Sequence, residues 1–468
     1  MFAAMCMTPL MILFVIVSFG KRQFLFWLLM FVNFFIQLKD LNLPFPMSLP
    51  NEMLEIALLT IAIVDARDSR FDRALNIMLL ALIIWCSYCT LEVFNDTCGL
   101  GINVGAWYSG ARAMAFQLLY AFLVYTLYIS TPQILMRYLF VWAGLSLFAV
   151  FWAWKQKNIG LTHAEHVWLY SRGFNTHVLQ AGTYIRYFST YSDAANYGIG
   201  IASTAVAFVI FGITQKIKKF RYFFLIAGAL CIWGTFPSGT RTATFCLIIG
   251  FLSYVFLSKS VKIAVPFSIV FALAFSFLYF TTIGNSNPEI RRMRSAFNKD
   301  DASANQRTIN QQTMKKYMKE APWGIGIGMG YDNVPSNNKY RLMATIAPDS
   351  EYVFIWLRAG EIGLTLFIIT MLMMLGGACK IVFFDLQNPA LRGIGAGLCC
   401  AFISQQLGGY GNQVLMQFPN CLIFYGGLTI VYLLPHLEGD WNEYEANELA
   451  VEAEKRHLKL EKKRALRV

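Results

Sequence analysis

Apolar residues run through the chain in stretches long enough to cross a bilayer, and short clusters of charged residues separate them. A hydrocarbon core about 30 Å thick needs roughly 20 apolar residues in helical conformation, so each stretch predicts one transmembrane helix. We count about 13 such spans by this criterion, beginning near residues 4, 23, 53, 74, 113, 138, 194, 222, 242, 262, 351, 393 and 418. The third is short and contains Glu55. Backbone polar groups must satisfy one another in lipid, and no stretch alternates apolar with polar residues as a membrane barrel strand does. The predicted fold class is all-α: a polytopic integral membrane protein of about 12–13 helices.

Composition agrees. The 468 residues are 57% hydrophobic and 14% charged, against about 25% charged in soluble domains. The ten cysteines lie mostly inside the spans and lack the two C-x-x-C pairs that suit zinc. The N-terminal stretch has no basic n-region and is read as a span rather than a cleaved signal. The net charge of +12 is unevenly placed. Lys21 and Arg22, then Arg67, Arg70 and Arg73, then Lys216, Lys218, Lys219 and Arg221, then Lys259 and Lys262, then Lys380 and Arg392 fall on alternate connections, which marks that side as cytoplasmic. Residues 1–435 are expected to form the membrane domain and 436–468 a charged cytoplasmic tail, acidic first and basic last. Two long segments, about 155–193 and about 282–350, then lie outside the cytoplasm, and loops of that length are usually functional or disordered. Within the second, "NQRTINQQTMKKYMKEAP" runs without a helix breaker to Pro322, which predicts a folded cap.

That helix leads into "PWGIGIGMG", residues 322–330. A phosphate cradle needs G-x-x-x-x-G-K-[ST], or G-x-G-x-x-G between a strand and a helix, and neither is present. Gly324, Gly326, Gly328 and Gly330 are expected instead to let the backbone bend or pack closely. Phosphate chemistry is better sought among outward-facing arginines. In "FPSGTRTATFCLIIG", Arg241 falls in the first turn of a span, where unpaired N–H donors and a partial positive charge already favour an anion. Arg186 precedes the span opened by "STYSDAANYG", where Asp193 or Ser192 suits a helix cap. Arg307 opens the loop helix, while Arg291, Arg292, Arg294, Lys315, Lys316 and Lys319 suit a solvated face. The planar fork of arginine matches phosphate oxygens, so Arg186, Arg241 and Arg307 are the candidate diphosphate ligands.

These pieces, in this order, resemble the O-antigen ligase and O-antigen polymerase superfamily of bacterial membrane glycosyltransferases. The resemblance covers roughly residues 180–370. It comprises Arg186 before "STYSDAANYG", then "SGTRTA", then the loop arginine and helix running into "PWGIGIGMG", and last "DSEYVFIWLRAGEIGL". Where the family commonly has histidine followed by asparagine, this chain has Asp349 and Ser350; the large loop contains no histidine, and His163, His166 and His177 belong to the other loop.

The resemblance implies transfer or polymerisation of an oligosaccharide from a polyprenyl diphosphate-linked donor to a glycan or lipid A core acceptor, at the periplasmic face of the bacterial inner membrane. Membrane lipids are expected partners and nucleic acid is not. Fixed arginines and a helix N-terminus suit charge building on the leaving diphosphate, with no metal or cofactor. Asp300 and Asp301 are adjacent rather than spaced as D-x-D. The acceptor hydroxyl needs a base, for which Asp349 is the first candidate and Glu351 the second, although "PDSE" before a span also reads as a helix cap. A lipid-linked oligosaccharide transporter is the alternative, but the chain shows no internal repeat and concentrates its polar features in loops.

Overall fold

A computed structural model of the chain describes residues 22–465 apart from 42–47, 66–69, 174–175, 177, 181–183, 259–260, 287–289, 292–293 and 295–301. The span expected from residue 4 lies outside the described residues, as do Lys21, Arg67, His177, Lys259, Arg292, Asp300 and Asp301. The fold is all-α apart from a two-residue antiparallel pairing of Leu179–Gln180 with Tyr184–Ile185.

Thirteen helices carry the architecture among the described residues. They are α1 (Arg22–Phe35), α2 (Leu49–Val64), α3 (Ile77–Leu91), α4 (Val104–Tyr128), α5 (Pro132–Asn158), α6 (Ala194–Thr214), α7 (Lys218–Thr235), α8 (Arg241–Leu257), α9 (Val261–Phe280), the loop helix α10 (Ala302–Met318), α11 (Glu351–Lys380), α12 (Pro389–Gly411) and α13 (Asn420–Ala465). Seven of these, α3, α4, α5, α6, α7, α11 and α13, are long and apolar enough to cross a membrane. α1 and α8 are apolar but shorter.

α6 is buried on nearly every side, and small residues let its neighbours approach. A Cβ at Gly393 of α12 would meet Thr214, and one at Gly397 would meet Phe211. Close backbone approach at small residues is how helices pack where lipid removes the hydrophobic drive between them. α13 continues through Pro435 as one helix of 46 residues. Its charged half docks on the bundle end, where Glu445 pairs with Lys216 at 2.9 Å and accepts from Asn388 Nδ2 at 3.0 Å.

Hydrogen bonds between connections respect the alternation of sides. At one end Lys39 donates to the Ser192 carbonyl at 2.8 Å, Asn95 to Trp323 at 2.9 Å, and the Tyr187 amide to Pro237 at 3.1 Å. At the other, Arg73 donates to the Ser130 carbonyl and Lys219 pairs with Glu448. The two ends are thus distinct, with the basic connections gathered at the second.

The segment 302–346 is folded and has its own small core. Met314, Met318, Ile325, Met329, Val334 and Met343 pack with Cys98 from the α3–α4 connection and Leu357 of α11.

Candidate functional site

The glycine run fits into a break in α11. Gly360 has φ 70° and ψ −171°, which interrupts the helix and frees the carbonyls before it. Ile325 N–H donates to Leu357 O at 2.9 Å, Gly326 N–H to Arg358 O at 3.0 Å, and the Tyr88 hydroxyl to Ala359 O at 2.6 Å. In return, Glu361 N–H donates to Pro322 O at 3.1 Å. Every polar group named here would be costly if left unbonded in a membrane protein's interior. Only glycine fits on both sides of the splice: a Cβ at Gly360 would lie 1.9 Å from Pro322 O, and one at Gly324 would lie 2.4 Å from Arg358 O. Gly328 packs equally hard against α4, where a Cβ would sit 2.1 Å from the Ala106 carbonyl. The run is therefore tied into α11 at both edges, which fixes the two-and-a-half-turn segment 351–359 and the residues just before it.

Those residues form one wall of a cavity of about 540 Å³, within the roughly 300–1,000 Å³ typical of small-ligand sites. Its lining includes Arg241 and Thr242 from the start of α8, Arg307, Thr308 and Gln311 from α10, Asp349 and Ser350 from the start of α11, and Tyr410 and Gly411 from the end of α12. Three residues singled out from sequence, Arg241, Arg307 and Asp349, thus share one cavity although they are far apart in the chain. Two helix N-termini, of α8 and α11, open onto it and bring partial positive charge and unpaired N–H groups. Arg307 Nη2 donates to the Gly411 carbonyl at 3.0 Å, a favourable place for a cation because α12 ends there.

Asp349 has φ 54°, a left-handed backbone that few residues other than glycine, asparagine and aspartate adopt readily. The cap position of α11 falls to Ser350, whose hydroxyl donates to Gly409 O at 3.2 Å and makes no capping bond. Asp349 thus lines the cavity from a left-handed backbone, and the cap position belongs to its neighbour.

Arg186 and Glu351 lie elsewhere, in the support of the site. Arg186 does not line the cavity. Its Nε donates to Ser238 O at 3.1 Å and its Nη2 to Thr240 Oγ1 at 2.6 Å, which braces the turn that launches α8. Ser238 and Gly239 shape the same turn, Gly239 at φ 55°, and Gly198 of α6 leaves room for the Ser238 side chain. Glu351 is buried, and its carboxylate accepts from Leu415 N–H at 2.9 Å. Asn196 holds the other side of that connection, donating to Phe418 O at 2.7 Å. The 412–419 segment, which directly follows Tyr410 and Gly411, is thus clasped from both sides. Asp193 caps α6, accepting from Ala195 and Asn196 N–H at 2.7 and 3.0 Å.

Tyr410, Gln311 and Thr308 line the cavity without having been singled out from sequence. Gln311 lies four residues after Arg307 and three after Thr308, one helical turn on from both, so the signal was available there. Tyr410 is 73% exposed and ends a helix whose only outward sign in the sequence is "GGYGNQ".

A search of curated proteins gave no match. Residues 226–368 match the family model described as O-Antigen ligase, a stretch that contains Arg241, Arg307, Asp349 and both strands of the glycine splice. Over that stretch, a little under a third of its length, the chain is similar to the O-antigen ligase family.

Proposed function

We propose that the cavity transfers a glycan from a polyprenyl diphosphate carrier to a sugar hydroxyl, on the periplasmic side of the bacterial inner membrane. The match to the O-antigen ligase family model supports the coarser statement, a glycosyltransferase-like enzyme of surface polysaccharide assembly. The observation that carries the finer one is the meeting of Arg241, Arg307 and Asp349 in one cavity.

The acceptor hydroxyl attacks the anomeric carbon while the bond from that carbon to the diphosphate oxygen breaks. The electron pair goes to the leaving diphosphate, and the hydroxyl proton goes to Asp349. Charge therefore grows where Arg241, Arg307 and the α8 N-terminus already stand, and preorganised donors aimed at developing charge are the largest single term in many enzymes. The accepting carboxylate and the cationic ligands come from different elements of the cavity lining, and the anomeric carbon would sit between them. The exposed ring of Tyr410 offers a flat apolar face to a sugar at the mouth.

The gathering of Arg73, Lys216, Lys218 and Lys219 at the end opposite the cavity supports a periplasmic site, since basic loops stay in the cytoplasm. On that reading residues 1–435 form the transferase domain and 436–468 its cytoplasmic tail. The acceptor is either a second lipid-linked repeat unit or a lipid A core.

The test is transfer by purified protein from a synthetic polyprenyl diphosphate oligosaccharide, with product chains read by mass. Arg241→Ala should lower turnover by about 100-fold or more, and an Arg241→Ala enzyme of normal rate would rule out the diphosphate site.

A further inference from the structure

The buried face of α2 is not apolar throughout. Asn51, Glu52 and Glu55 share it with Leu54, Leu58 and Ile61, and it packs against α1 and α4. Glu52 is accounted for on one side: its Oε2 lies 3.2 Å from Arg112 Nη1, and Arg112 Nη2 donates to Ser48 Oγ at 2.8 Å.

Glu55 has no such partner. It is fully buried, and neither carboxylate oxygen makes a hydrogen bond. Asn51, one turn away on the same face, is also fully buried, and neither of its amide atoms is bonded. Glu52 Oε1 and Gln117 Nε2 of α4 are orphaned as well. Native interiors leave few such atoms, and a knot of them in one place points to something bound there. Arg112–Phe116 is a π-helical stretch of α4, a local widening that recurs beside functional sites.

The charges give the identity of what is missing. Glu52 and Arg112 cancel, and Glu55 leaves one negative charge uncompensated. The other titratable groups near enough to sense Glu55, among the described residues, are Tyr120 and Tyr125 of α4 and Cys421 of α13, all neutral in their ordinary form. A bare carboxylate in an apolar interior is far too costly to persist, so it takes up a proton or a cation. We propose that Glu55, Asn51 and the free oxygen of Glu52 form an intramembrane site for one monovalent positive charge, a proton or a sodium ion. The oxygens of all three suit a sodium ion, and the amide donors of Asn51 and Gln117 suit a water shared with it. This site is separate from the cavity of the proposed transfer reaction and does not rest on it.

The experiment is thermal unfolding of the full chain in lipid nanodiscs, with sodium chloride or choline chloride at equal ionic strength and across pH, for wild type and Glu55→Gln. If the occupant is sodium, sodium raises the wild-type melting temperature, choline does not, and Glu55→Gln loses the response. If it is a proton, sodium and choline act alike, wild type loses stability as pH rises while Glu55→Gln does not, and the infrared band of a protonated carboxyl disappears in the variant. Wild type and Glu55→Gln responding alike to sodium and to pH, with no carboxyl band lost, would overturn the proposal. Should Glu55→Gln fail to fold, Asn51→Leu serves. It keeps the charge of Glu55 and should weaken the sodium response about tenfold or shift the pH midpoint by about one unit, and an Asn51→Leu protein unchanged in both would equally overturn the site.

Discussion

Arg307 Nη2 lies 3.0 Å from the carbonyl oxygen of Gly411, so the loop helix is fastened to the end of α12 directly over the cavity. One donor of the guanidinium holds the roof in place. The remaining donors of that fork are what the proposed diphosphate would use.

Replacing Arg307 separates those two tasks. Arg307→Lys keeps a positive charge but loses the planar fork, so turnover should fall about 10-fold with little change in thermal stability. Arg307→Ala removes charge and fastening together, and turnover should fall about 100-fold or more with raised KM for the lipid donor. Initial rates across donor concentration read both. Equal, small effects of the two variants would assign Arg307 to the surface.

Asp349 permits a cleaner test, because asparagine tolerates its left-handed backbone nearly as well as aspartate does. Asp349→Asn should therefore fold normally, bind donor normally, and lose a factor of about 10²–10⁴ in turnover, the usual contribution of a general base. A variant that turns over at the wild-type rate would leave Asp349 with only its turn to make.

The splice predicts a severe structural effect at a position remote from any ligand. Gly360→Ala places a methyl group 1.9 Å from Pro322 O at a φ of 70°. Overpacking and backbone strain together should cost about 3 kcal/mol or more. Melting in detergent should fall by several degrees, and proteases should cut the 302–346 segment sooner. A protein of unaltered melting temperature would show that α11 tolerates the change by straightening.

Lys39 carries a pH signature. Burial pushes its ammonium down to about 8 from an ordinary 10.5, partly opposed by Asp193 and Glu165, and it lies over the Trp168 ring at 4.1 Å. Below pH about 8 the lysine is charged in both folded and unfolded states and its burial cost is fully present. Between about 8 and 10.5 the folded chain has released the proton that the unfolded chain still holds, so this residue's contribution to stability rises with pH. Melting curves across that window should show the rise in wild type and lack it in Lys39→Met. Parallel pH profiles would place the titration elsewhere.

Helices were readable because lipid imposes a single rule on apolar stretches: twelve of the expected spans coincide with described helices. Which connections share an end was readable from the alternation of lysine and arginine, and the loop-to-loop bonds agree with that grouping. Arg241 was legible because a cation in the first turn of a helix is unusual. The difference between Arg186 and Arg307 was not. Both are arginines of the two long connections, and only tertiary packing puts one behind the Ser238 turn and the other in the cavity. Glu351 stood second to Asp349 in the string "PDSE", yet two positions on, as the first residue of α11, it turns away toward Leu415. Tyr410 was invisible because its helix of 23 residues carries no charged landmark other than Arg392, and aromatic residues are everywhere in this chain.

The break at Gly360 also bears on how the chain keeps its final form. In the folded chain the carbonyls of Leu357 and Arg358 find their partners outside their own helix, in the amides of Ile325 and Gly326. Those amides are on a segment that precedes α11 in the chain. Straightening α11 through Gly360 would return the two carbonyls to amides of their own helix and leave Ile325, Gly326 and Pro322 without their partners. The glycine splice makes the wall of the cavity and the loop segment one hydrogen-bonded unit, so neither keeps its form without the other.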